Sequence, residues 1–60
     1  MKNQRPAPDP QAKRHQKVAG HWIDYGFSRS AGIWGFSVGF TGNFYAHEAD
    51  ALDFARRNPR

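Results

Sequence analysis

Few side chains in this 60-residue chain can move protons or hold a metal near neutral pH: three histidines, five carboxylates and no cysteine. The lack of cysteine removes disulfides, thiolate nucleophiles and thiolate zinc sites at once. His15, His21 and His47 stand far apart in sequence. None has the i, i+4 partner or chelating loop by which a histidine pair grips zinc, although His21 and His47 with Asp24 are the set a fold would have to assemble for metal binding. His47 reads as the residue that opens a helix, with Asp50 three positions on near the free amides, and His21 as an exposed strand residue. Glu48, Asp50 and Asp53 belong to the same helix and suit its electrostatics and solvation. No nucleophile, base and oxyanion donor converge. The sequence therefore predicts a binding module with no catalytic, cofactor or metal residues, and not an enzyme.

Two groups of residues can carry binding. The first is cationic. Residues 1–19 hold Lys2, Arg5, Lys13, Arg14 and Lys17 against Asp9 alone, whereas Arg29, Arg56, Arg57 and Arg60 in residues 20–60 are matched by four acids. The whole net charge of +4 thus lies on the first third of the chain. A neutral body with a basic arm fits electrostatic attachment to a polyanion, each Lys or Arg neutralising a phosphate and releasing its counterions. Such contacts confer affinity without base choice. The second group is aromatic. All nine Phe, Trp and Tyr residues lie between positions 22 and 54, more rings than so small a core absorbs. Trp22 is the first candidate for exposure and Phe44 the second. An exposed ring beside Arg29 or the arm is a platform for base stacking.

The elements that must position these groups follow from pattern. Pro6, Pro8 and Pro10 alternate and exclude regular helix. Only Met1 and Val18 are large and apolar in residues 1–19, so this segment is expected to be a flexible, disordered basic tail. Residues 20–60 are expected to form one compact domain. Residues 21–28 alternate with Ile23, Tyr25 and Phe27 on one face, the period of a strand. Arg29-Ser30-Ala31-Gly32 suits a hairpin connection. Residues 33–40 alternate again, with Trp34, Phe36, Val38 and Phe40 on the core face and Gly35, Ser37 and Gly39 on the other. Thr41-Gly42-Asn43 is a turn sequence, residues 44–46 a short third strand, and a helix follows to about residue 58, stopped by Asn58-Pro59. Ala51, Leu52, Phe54 and Ala55 make its apolar stripe. The predicted fold class is α+β: a three-stranded antiparallel meander followed by one C-terminal helix on one face.

The run Trp34, Phe36, Val38, Gly42, Tyr45, Ala51 and Phe54, over roughly residues 33–57, resembles the three-stranded-sheet-plus-helix DNA-binding domains of phage-type integrases and of a class of plant transcription factors. The aromatic–Gly–aromatic strand around Gly35 also resembles a strand of RNA-recognition and cold-shock domains. These resemblances imply nucleic-acid binding through the sheet. The departure is that Gly35, Ser37 and Gly39 stand where those integrase-like domains carry Lys and Arg, so direct base readout is not implied.

Two functions are left open by these residues. The first is a non-catalytic nucleic-acid-binding accessory protein, for DNA or RNA, using Lys2, Arg5, Lys13, Arg14, Lys17, Arg29, Arg56 and Arg57 for phosphates and Trp22 for stacking. The second is a protein-interaction module, an inhibitor or adaptor, that docks an acidic or flat partner, or a second copy of itself, through the smooth Gly35, Ser37 and Gly39 face or a sheet edge. No apolar run approaches a membrane span and no apolar stretch follows the basic start, so a soluble cytoplasmic protein without a membrane partner is expected.

Overall fold

The structure, a computed structural model, describes residues 6–60. It contains an antiparallel sheet of four strands in the order β1-β2-β3-β4, with β1 at His15–Val18, β2 at His21–Ser28, β3 at Ile33–Val38 and β4 at Asn43–Tyr45. A single helix, α1 at Glu48–Arg57, follows and packs on one face. The expected meander-plus-helix is present with one strand more than expected. That strand comes from residues assigned to the tail on composition, and Lys2 and Arg5 lie outside the described residues.

Backbone geometry explains the extra strand. Val18 pairs with His21 across a two-residue loop in which Ala19 (φ 51°) and Gly20 (φ 87°) both adopt positive φ. Two consecutive left-handed residues match the twist of a tight hairpin. Only glycine serves at position 20, because a Cβ there would lie 2.5 Å from the Arg60 carbonyl oxygen. The chain end in turn clasps this loop, with the Arg60 amide donating to the Ala19 carbonyl at 2.8 Å. Alanine is the mismatched member, since a left-handed Cβ costs about 1 kcal/mol. Ala19→Asn should therefore raise stability by about 1 kcal/mol, seen as a thermal midpoint higher by roughly 4–8 °C. A lower midpoint in circular-dichroism melting would contradict the turn.

The core lies between the sheet and α1. Ile23, Phe36, Val38, Ala51 and Ala55 are buried, and Val18, Tyr25, Tyr45, Leu52 and Phe54 pack around them. Ala51 and Ala55, both fully buried, carry no bulk beyond Cβ and let the helix approach the strands closely. Glu48 and Asp50 in the first turn and Arg56 and Arg57 in the last oppose the helix dipole at both ends. His47 is the N-cap, in extended conformation and without a side-chain cap bond among the described residues.

Ten helical residues span about 15 Å, while the eight residues of β2 span about 27 Å. The helix therefore leaves part of the inner sheet face bare. Tyr25, Phe27 and Trp34 fill that part as a ring cluster, with centroid separations of 5.5 Å for Tyr25–Trp34 and 5.6 Å for Phe27–Trp34. Residues 6–12 lie against the cluster. The Trp34 indole N–H donates to the Pro6 carbonyl, the Asp9 amide donates to the Tyr25 hydroxyl oxygen at 2.8 Å, and Ala12 touches the core.

Two inner-face expectations are corrected. Phe40 is not a core residue: β3 ends at Val38, and Phe40 sits in the following turn at φ 67° with its side chain 91% exposed. His21 is not exposed. It is buried on the inner face, where its ring leans on Phe54 at 5.8 Å. Its Nε2–H donates to the Asn58 carbonyl at 2.5 Å, while Nδ1 has no partner among the described residues. Alternation explains this, since His21 shares the face of Ile23 and Tyr25.

Candidate nucleic-acid interface

The sheet face turned away from α1 is the candidate site. Strand register assembles it: Lys17 stands opposite Trp22, His15 opposite Asp24, Asp24 opposite Ser37, Gly26 opposite Gly35, and Ser37 opposite Phe44. Partners in an antiparallel pair point to the same side, so these residues share one surface.

Trp22 is its centre. The His15 ring stacks on the indole with centroids 4.2 Å apart and planes 7° from parallel. His15 is itself tied by Nδ1 to the Asp24 carboxylate. A carboxylate accepts only, so the Nδ1 hydrogen donates and the ring orientation is set. Lys17 places its ammonium 5.5 Å from the indole centroid. Trp22 is thus an oriented ring with His15 stacked on it and a cation over it, and it keeps 41% of its surface exposed. Such a group can stack a planar ligand and hold an adjacent anion, since base–aromatic stacking tolerates any base.

Next to it runs an open groove of about 380 Å³, lined by Asp24, Gly26, Ser28, Ser37, Gly42 and Phe44 among others. Its far wall is Phe44, whose ring lies over Gly35. Phe44, expected to be exposed, is half-buried for this reason. Gly35 is buried beneath that ring, so Gly35, Ser37 and Gly39 do not form one continuous smooth surface. Ser37 is exposed, and Gly39 is held against Trp22 by its amide donating to the Trp22 carbonyl at 2.8 Å.

The expected phosphate contacts are divided by the fold. Lys17 joins Trp22 on the open face. Lys13 and Arg14 are exposed just before β1, where the Arg14 carbonyl accepts from the Tyr25 amide at 2.9 Å. Arg29 lies in the β2–β3 turn, at the opposite end of β2 from Trp22. Arg56 and Arg57 are on the helix, across the core from the open face, and Arg57 pairs with Asp53 at 3.1 Å. His15 and Phe40 belong to this end of the molecule without having been singled out from sequence. For His15 the signal was its position seven residues before Trp22 across a potential turn. For Phe40 none was legible, because the alternation runs through it.

Among the described residues, no three His, Asp or Glu side chains are grouped as metal ligands, and no helix is long and apolar enough to cross a membrane. In comparison with known proteins, no family model, no curated protein and no solved structure matches this chain.

Proposed function

We propose that this protein is a small, non-catalytic nucleic-acid-binding accessory protein whose contacts are largely independent of base sequence. The observation that carries the reading is Trp22: a large ring partly exposed on a folded sheet, its orientation fixed by His15 and the Lys17 ammonium placed over it. Lys13 and Arg14, exposed at the entry to β1, and Lys2 and Arg5 upstream supply further phosphate partners. The Asp24 carboxylate accepts from His15 Nδ1 and so helps hold that ring against the indole.

The test is a fluorescence-anisotropy titration of labelled oligonucleotides between 50 and 200 mM salt. Affinity should fall linearly on logarithmic axes. Lys13→Ala with Arg14→Ala should reduce the slope by about 1.4–1.8, because two phosphates are then no longer neutralised. Affinity indifferent to salt would contradict the reading. The alternative, a protein-interaction module, is favoured by one feature. β1 is an outermost strand of the sheet, and a partner strand could add there. Binding that survives high salt and is not competed by oligonucleotide would support that alternative.

A further inference from the structure

The turn after β3 holds a residue that the fold itself disfavours. Phe40 has φ 67°, a left-handed conformation that glycine and asparagine adopt readily and that a bulky residue rarely takes. Its ring gains nothing from the core, being 91% exposed. The turn is nevertheless well determined. The Thr41 hydroxyl donates to the Val38 carbonyl at 2.8 Å, and the Asn43 amide donates to the Thr41 hydroxyl oxygen at 3.0 Å. On the other side, the Gly39 amide is bonded to the Trp22 carbonyl. A strained, solvent-exposed aromatic in a rigid turn points to a function outside folding.

The surroundings indicate which function. The Arg60 guanidinium lies over the Phe40 ring, 5.0 Å from its centroid. This repeats the arrangement at Trp22, where Lys17 stands 5.5 Å from the indole. The Gly39–Trp22 bond and the Arg60–Ala19 bond bring both ring-and-cation pairs to the same end of the sheet. A stacking ring beside a cation is the complement of one nucleotide, with its base and its phosphate. Two such pairs at one end of the sheet complement two nucleotides of one strand. A ring can receive a base only if that base is unpaired and free to leave its neighbours. Duplex bases show their edges in the grooves and keep their faces stacked.

We propose that the ligand is single-stranded nucleic acid, and that Phe40 with Arg60 forms a second base-stacking position beside that of Trp22 with Lys17. This rests on the nucleic-acid reading above and narrows it to unpaired strands.

The experiment compares a fluorescein-labelled 12-nucleotide thymidine strand with a 12-base-pair duplex at fixed salt, using the full chain, Phe40→Asn and Phe40→Tyr. The full chain should bind the single strand about tenfold or more tightly than the duplex. Phe40→Asn should weaken single-strand binding by about 5- to 150-fold, the range for loss of one stacked base. Its thermal midpoint should be equal or higher, because asparagine suits the left-handed backbone. Phe40→Tyr keeps a ring and should stay within about twofold of the parent. Equal affinity for strand and duplex, or an unchanged affinity in Phe40→Asn, would overturn this inference while leaving nucleic-acid binding intact. Loss in Phe40→Tyr as large as in Phe40→Asn would overturn the stacking role. Binding to neither probe would overturn the nucleic-acid reading itself.

Discussion

Gly35→Ala is expected to remove about 3 kcal/mol of stability, much of what a chain this size possesses. A Cβ at this position would lie 2.4 Å from the Phe44 ring and 2.5 Å from the Tyr45 carbonyl oxygen. The ring can swing aside at the cost of uncovering the sheet. The carbonyl cannot, because Phe36 and Tyr45 are paired in the β3–β4 ladder and moving one strand breaks the register. Gly35→Ala combined with Phe44→Ala should therefore recover only part of the loss. The control is on the neighbouring strand. Gly26 stands directly opposite Gly35, yet no atom of the described residues lies within 4 Å of a Cβ built on it. Gly26→Ala should be neutral, or stabilising by up to about 1 kcal/mol through the unfolded chain. Urea unfolding of the three variants measures this. A Gly35→Ala loss no larger than that of Gly26→Ala would show that β4 does not lie where described.

Trp22→Ala should weaken single-strand binding by about 1–3 kcal/mol, or about 5- to 150-fold, the loss of one stacked base. Stability should change far less, because the side chain is 41% exposed on the face away from the helix. Trp34 gives the contrast. It is half-buried between Tyr25 and Phe27, and its indole N–H is bonded to the Pro6 carbonyl. Trp34→Ala should thus destabilise the fold by about 3 kcal/mol by opening the ring cluster. With Trp34→Phe as background, the remaining fluorescence reports Trp22 alone. Base stacking should quench it on addition of oligonucleotide. Unchanged emission at saturation would exclude contact between ligand and indole.

Much of this fold was legible because its strands carry their burial in their alternation. Ile23 and Tyr25 on β2, and Phe36 and Val38 on β3, repeat at the period of two and meet the Ala51 and Ala55 stripe of the helix. β1 was hidden because an edge strand needs little apolar content. Of its inner-facing residues, Val18 packs at the core margin, and Gln16 is satisfied by donating from Nε2 to the Glu48 carboxylate at 2.9 Å. Its turn lacked the Asn-Gly signature, since Ala19 occupies a left-handed position that alanine seldom takes. Phe40 was misplaced because alternation cannot show where a strand stops and a turn begins. On the candidate face, the exposure of Trp22 was legible from its place in the alternation of β2 and that of Lys17 from its charge. The role of His15 was not, because its stacking on Trp22 depends on the unforeseen hairpin. The smooth face expected from Gly35, Ser37 and Gly39 was broken by a ring from β4, a cross-strand contact whose register the alternation does not encode.

The claim on which the rest depends is that the open sheet face, at the end marked by Trp22, receives an unpaired strand. A proton–nitrogen correlation spectrum of the full chain, titrated with the thymidine 12-mer, tests it most directly. The expected result is progressive shifts at the Trp22 indole and the Lys17, Gly39 and Phe40 amides, with Asp53 and Ala55 on the helix unmoved. Shifts confined to the helix, or none at saturating oligonucleotide, would contradict it.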